Sequence, residues 1–96
     1  MRRKSRAVAL QYDASLPAPL VVAKGEGLLA GRLAELAREH DVPVVREDAL
    51  AQGLFVIETG RFIPEPFYKA VAEILAFVWR STENARGGTE RKRDIE

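Results

Sequence analysis

The chain has 96 residues, with 15 basic and 14 acidic side chains, 47% apolar residues and no cysteine. This length fits one small globular domain, and its core is too small to enclose a large active-site cavity. The lack of cysteine excludes disulfides and thiolate catalysis, and one histidine, His40, leaves too few ligands for a conventional transition-metal site. Composition therefore argues against an enzyme that acts on a large substrate, and we assign no catalytic residue, no metal and no cofactor.

No part of the sequence predicts a membrane anchor or a signal peptide. No window approaches 18 consecutive apolar residues, and only a short apolar stretch follows the basic residues 1–6. Residues 7–80 contain more acidic than basic side chains, so the predicted folded part is mildly acidic. A cytoplasmic location is expected, with a transient contact between the N-terminus and acidic lipids at most, and no stable membrane insertion.

Two short strands are predicted in the first quarter of the chain. Val8, Leu10 and Tyr12 alternate with smaller residues, which predicts a strand over residues 7–12. Two prolines predict a loop over residues 13–19, because they fix φ and remove backbone donors. The apolar residues 20–23 that follow predict a buried strand.

The middle of the sequence predicts a helix and a third strand. From Glu26 the apolar residues recur with a helical period and form one stripe: Leu29, Leu33, Leu36, Ala37 and His40. Asp41 and Pro43 end this helix. Residues 42–45 then predict a second buried strand, paired in parallel through a strand–helix–strand crossover.

Two further helices and a tail complete the prediction. A short helix is expected over residues 48–55, with Asp48 as its cap. The last helix follows Pro64 and Pro66 and carries an unusually wide apolar surface, so we expect it to be contacted on two sides. The predicted organisation is a basic segment over residues 1–6, a domain over residues 7–80 and a disordered tail over residues 81–96.

The turn formed by Lys24, Gly25, Glu26 and Gly27 lies between a predicted strand and a predicted helix. Backbone N–H groups at a helix N-terminus can hold an anion, so the turn is a candidate site for a small phosphorylated ligand or nucleotide. Its spacing matches neither a P-loop nor a dinucleotide-binding motif. In the competing interpretation the glycines only make the turn, and Glu26 occupies the positive end of the helix dipole.

Three other features have a structural and a functional interpretation. His40 ends a predicted helix, where a capping or packing role is favoured over acid–base chemistry. The basic clusters at residues 1–6 and 91–93 contain no interleaved aromatic residue, which favours solvated termini over nucleic-acid binding. Phe77 and Trp79 can anchor a protein partner or pack in the core.

Five stretches, in order along the chain, strongly resemble the cytoplasmic domain of the FlhB/YscU/SpaS family, whose members are export-switch components of flagellar and type III secretion systems. They are residues 7–13, 18–25, 27–30, 39–44 and 67–79. The resemblance covers residues 7–80 and implies a small single α/β domain with a central mixed sheet surrounded by helices, without the family's first strand. It also implies a stand-alone, non-enzymatic component or regulator of protein export, placed at the cytoplasmic face of the export apparatus.

The family resemblance carries an expectation about self-cleavage. Family members cleave themselves at an Asn-Pro-Thr-His turn, where the asparagine side chain attacks its own backbone carbonyl. The matching positions here are Arg2, Arg3, Lys4 and Ser5. The nucleophile, the proline and the histidine are all replaced, so the resemblance implies no autocleavage in this chain.

The resemblance also implies a small apolar patch that binds a short hydrophobic segment of export substrates. The matching positions are Ala18, Pro19, Ala72 and Leu75. Ala72 and Leu75 share a helical face, where a small residue beside a larger one makes a shallow notch. The expected partners are export substrates and membrane-embedded export-gate subunits.

The absence of the family's first strand implies an open edge on the strand predicted over residues 7–12. Open edges recruit strands from a partner or from a second copy of the chain. Three functions therefore stay open at this point: a substrate-binding export module, an adaptor that docks onto a truncated exporter through this edge, and a ligand-binding regulator that uses the Lys24–Gly27 turn.

Overall fold

The computed structural model describes residues 5–86 and 93–95. Its elements are β1 (Arg6–Tyr12), β2 (Leu20–Glu26), α1 (Leu28–Glu39), α2 (Asp48–Leu54), α3 (Tyr68–Arg86) and β3 (Arg93–Ile95). A 3-10 turn over Glu65–Phe67 leads into α3. Among these elements, no helix is long and apolar enough to cross a membrane.

The three strands form one antiparallel sheet in the order β2-β1-β3. β1 pairs with β2 from Arg6, opposite Glu26, to Gln11, opposite Leu20, with an irregularity after Ala9. β3 pairs with the other edge of β1, but only over Leu10, Gln11 and Tyr12. The predicted open edge is therefore covered within the chain at these three residues, whereas residues 6–9 of β1 meet no strand of the described chain on that side.

Helices cover both faces of the sheet. Side chains alternate between the faces along each strand, so each face presents its own set of residues to a helix. Val8 and Leu10 point to the face covered by α2 and α3, and both are almost completely buried. The opposite face carries Ala7 and Gly25 and is covered by α1 through its buried Ala30. α1 comes so close that a Cβ atom on Gly25 would lie 2.8 Å from the backbone carbonyl group of Leu29.

The hydrophobic core lies between the sheet, α2 and α3. Its buried members are Val8, Leu10, Val21, Leu54, Ile63, Val71 and Val78. Ile63 belongs to a segment that runs beside β2, where its N–H donates to the carbonyl of Pro19 at 2.9 Å. This segment ties the loop before β2 to the start of α3.

The predicted α/β class is confirmed, as are the strand over residues 7–12, the strand that begins at Leu20 and all three helices. The strand predicted over residues 42–45 is wrong, because this segment forms no strand. The sheet is antiparallel rather than mixed, since β1 pairs antiparallel with both β2 and β3 in the described chain. Pro43 has no N–H to donate, and the N–H of Val42 turns back to the carbonyl of Ala37 at 2.7 Å. Val45 still packs against the core.

Part of the apolar stripe predicted for α1 faces solvent. Leu29 is 67% exposed, Leu36 and His40 are also exposed, and the buried residue of this helix is Ala30. The close approach at Gly25 explains the difference, because only a small side chain fits between α1 and the sheet.

Two boundaries also differ from the prediction. Asp48 lies in the first turn of α2, whose N-cap is Glu47 without a side-chain cap. α3 continues to Arg86, and residues 93–95 form β3, although residues 81–96 are predicted as a tail. No glycine or proline interrupts the helix before Gly87, so nothing in the sequence stops it at residue 80. Residues 87–92 and 96 of the predicted tail lie outside the described residues.

Candidate protein-binding site

The four residues of the expected substrate patch differ in exposure. Ala18 is buried, Pro19 and Leu75 are half-buried, and Ala72 is exposed. Pro19 accepts a hydrogen bond from the N–H of Ile63, and Leu75 packs against the core cluster to which Ile63 belongs. The two halves of the patch are therefore both attached to the one core, and Ala72 is its exposed member.

α3 extends this patch into a longer apolar stripe. Tyr68, Ala72, Leu75 and Trp79 follow the spacing i, i+4, i+7 and i+11, which places them on one helical face. Tyr68 is 45% exposed and Trp79 is 40% exposed. We call these four residues the α3 stripe. It presents two exposed aromatic side chains with the small Ala72 and the larger Leu75 between them, which is the order of side chains expected of a shallow notch.

The charged residues of α3 lie beside the stripe rather than within it. Lys69 and Glu73 each follow a stripe residue by one position, which is about 100° around the helix. Phe77, which is 58% exposed, also lies off the stripe. We expected α3 to be contacted on two sides. Within the described chain it is buried on one side, the side that carries Val71 and Val78. The exposure of Phe77 and Trp79 disfavours core packing for both, and of the two, Trp79 lies on the α3 stripe and is the candidate partner anchor.

Sequence reasoning missed Phe62, a further exposed aromatic residue near the proline loop. Phe62 is 45% exposed and forms an isolated antiparallel bridge with Leu20, next to Pro19. The signal in the sequence is its position beside Ile63: when Ile63 points into the core of an extended segment, its neighbour points out.

The charged residues of the Lys24–Gly27 turn serve the fold. The ammonium of Lys24 donates to the carbonyls of Phe55 and Ile57, at 2.6 and 2.9 Å, beyond the end of α2. The guanidinium of Arg6 pairs with Glu26 at 2.9 Å, and both Arg6 and Lys24 lie over the ring of Phe55. The N–H of Gly27 donates to the carbonyl of Ser5. Lys24 is thus directed away from the α1 N-terminus, where a bound anion would lie.

His40 is the C-cap residue of α1, as predicted, but it caps through its backbone N–H, which donates to the carbonyls of Leu36 and Ala37. Its side chain is exposed. In the part of the chain that the structure describes, no group of three acidic or histidine side chains is placed to hold a metal ion.

The model of the FlhB HrpN YscU SpaS family matches residues 4–78. The chain belongs to this family. Its sequence is 46% identical over 86 residues to the flagellar biosynthetic protein FlhB of Salmonella typhimurium, covering 88% of this chain and 22% of that protein. It is 47% identical over 74 residues to FlhB of Aquifex aeolicus, covering 75% of this chain and 21% of that protein. The chain thus spans about a fifth of the length of these FlhB relatives.

Solved structures of family members share the fold. The crystal structure of the PscU C-terminal domain superposes with a TM-score of 0.73 at 30% identity, covering 77% of this chain and 96% of that one. A mutated EscU C-terminal domain gives a TM-score of 0.72 at 30% identity, covering 80% and 84% of the two chains. The match confirms the predicted FlhB-like C-terminal domain.

Proposed function

We propose that this chain is a non-enzymatic component or regulator of flagellar or type III protein export, which binds export substrates or exporter subunits at the cytoplasmic face of the apparatus. The observation that carries the proposal is the α3 stripe on a domain of the FlhB family. Exposed aromatic residues beside a small residue suit the insertion of an apolar side chain from a short segment, and aromatic residues dominate the energy of protein interfaces.

The patch of Ala18, Pro19, Ala72 and Leu75 is the proposed substrate site, with Tyr68 and Trp79 as its flanks. Because Ala18 is buried, its role is to support the proline loop, and the direct contacts come from Pro19, Ala72 and Leu75. The notch holds one apolar side chain, while the flanking aromatic rings cover the residues on either side of it. Membrane-embedded export-gate subunits are the second class of partner that this face suits.

The absence of autocleavage belongs to the same proposal. The positions that match the family's cleavage turn hold Arg2, Arg3, Lys4 and Ser5, none of which supplies an amide nucleophile. Mass spectrometry of the purified chain should therefore show one intact species after prolonged incubation. A fragment that begins within these residues would contradict this part of the proposal.

The substrate site is tested by replacing Ala72 with glutamate. Ala72 is exposed, so Ala72→Glu should leave the fold intact, but it places a charge where an apolar side chain must insert. Calorimetry with a purified early-class export substrate should show at least tenfold weaker binding, which corresponds to about 1.4 kcal/mol.

The matched control for that experiment is Ala70→Glu. Ala70 is also exposed on α3, two residues before Ala72 and therefore on the other side of the helix. This variant should bind as the original chain does. Equal affinities for a folded Ala72→Glu and for the control would defeat the assignment of the site.

A further inference from the structure

The outer side of α1 carries a row of leucines that the proposed function does not use. Leu29 is 67% exposed, Leu36 is 37% exposed, and Leu33 between them is half-buried. Their spacing, i, i+4 and i+7, places them along one side of the helix. We call these three residues the α1 leucine row. Leu28, which is 95% exposed, extends the apolar surface at the N-terminal end of the helix.

The packing of α1 on the sheet leaves this row uncovered. The backbone of Leu29 lies so close to Gly25 that only a small side chain, Ala30, is buried beneath the helix. The row therefore lies at the outer side of the contact, and no element of residues 5–86 or 93–95 buries it. Neighbouring apolar side chains on the surface of a soluble domain mark an interaction site.

The charges beside the row indicate what covers it. Arg32, Glu35 and Glu39 lie on the side of α1 that faces away from the buried Ala30. Arg32 and Glu35 pair at 3.3 Å, and both side chains are 63% exposed. The charge along this side of the helix therefore changes from positive to negative towards the C-terminus. A partner with the same sequence in the opposite direction is complementary to it.

We infer that two copies of this chain associate through α1, with the two helices antiparallel. When Leu29 of one copy faces Leu36 of the second copy, the twofold axis passes between residues 32 and 33. Arg32 then lies within about 3 Å, measured along the helix axis, of Glu35 of the second copy. A parallel pair would instead place each charge beside its own equivalent, which is unfavourable.

The size of this surface predicts a weak, reversible dimer. α1 has 12 residues, which is about 18 Å of helix. One pair of such helices buries less than the roughly 1,200 Å² of the smallest stable interfaces, so we expect a dissociation constant on the order of 100 μM. This contact is separate from the α3 stripe, so the copies would associate without covering the proposed substrate site.

The first test is sedimentation equilibrium of the full chain at concentrations from tenfold below to tenfold above this constant. The average mass should rise from that of one chain towards that of two. Leu29→Ser should weaken association at least tenfold. The matched control is Phe77→Ser, at an exposed apolar position of α3, which should change association less than twofold. Circular dichroism shows whether both variants keep their helices.

The second test uses the absence of cysteine from the sequence, because an introduced pair then reports one contact only. Leu29→Cys and Leu36→Cys chains, mixed and oxidised, should form a disulfide between the two different variants. Each variant alone should form at least tenfold less dimer, since equivalent positions lie roughly 10 Å apart along antiparallel helices and a disulfide needs Cα atoms within about 7 Å.

Three results would overturn the inference. They are a chain that stays monomeric at the highest concentration, association that a folded Leu29→Ser variant retains, and disulfides that form equally well within each cysteine variant. Association lost in Phe77→Ser instead would assign the contact to α3. The cross-linking decides alone if Leu29→Ser does not fold.

Discussion

Gly25 shows how a single residue sets the distance between α1 and the sheet. A Cβ atom at this position would lie 2.8 Å from the backbone of Leu29, and backbone cannot move aside as a flexible side chain can. Gly25→Ala should therefore lower the free energy of unfolding by about 1–3 kcal/mol, as overpacking does elsewhere. Urea unfolding measures the loss.

Gly31 provides the matched control for Gly25. It lies within α1 with no atom near its missing Cβ. Gly31→Ala should be neutral or raise the free energy of unfolding by up to about 1 kcal/mol, since alanine is the better helix former. Equal stabilities of the two variants would show that α1 does not approach β2 as closely as described.

Lys24 links β2 to the end of α2, so replacing it should lower the free energy of unfolding. Lys24→Met keeps most of the aliphatic stem but removes both hydrogen bonds to the carbonyls of Phe55 and Ile57. We expect a loss of about 1.5–3 kcal/mol in the free energy of unfolding, the usual range for a hydrogen bond to a charged group.

The exposed Lys69 of α3 is the control for this lysine, and Lys69→Met should change stability by less than about 0.5 kcal/mol. A Lys24 variant as stable as the original chain, together with a thermal shift by phosphorylated ligands that depends on Lys24, would instead favour the ligand-binding interpretation of this turn.

At the scale of the element, the residues that contribute most to substrate binding should lie on one face of α3. Trp79 belongs to the α3 stripe, whereas Phe77, which is more exposed, lies off it. Trp79→Ala should weaken binding of an early-class export substrate about tenfold or more, and Phe77→Ala should change it less than threefold. Titration of both variants against the same substrate makes the comparison, and a larger effect at Phe77 would move the site to a different face.

Some secondary-structure elements were predictable from the sequence because their signals are local, and others were not because they depend on contacts between distant residues. The alternation of Val8 and Leu10 and the prolines before α3 are local signals, and both elements form as expected. The periodicity of apolar residues in α1 indicates which residues share a face of the helix. The close contact between α1 and Gly25 of β2 determines which of these faces packs on the sheet, and Leu29 lies on the exposed side. The valines around Pro43 favour a strand by propensity, yet no neighbouring strand pairs with them in the described chain.

The candidate site was predictable to a similar extent. Ala72 and Leu75 follow from the family resemblance, and the apolar width of α3 is visible in the sequence. The outward direction of Phe62 follows from its position beside the buried Ile63, but its bridge to Leu20 joins distant parts of the chain and is encoded by no local pattern.

At the scale of the whole molecule, the proposed function depends on α3 within the folded domain, because Leu75 of the α3 stripe also packs against the core. The most direct measurement of the proposed function is secretion of early-class export substrates by Salmonella typhimurium cells whose FlhB lacks the 22% of its length that matches this chain. This chain would be supplied separately, either unaltered, with Ala72→Glu, or with Ala70→Glu, at matched expression. We predict that the unaltered chain and Ala70→Glu restore secretion and that Ala72→Glu does not. No restoration by the well-expressed, unaltered chain, or equal restoration by Ala72→Glu, would contradict a role as an export component that binds substrates through α3.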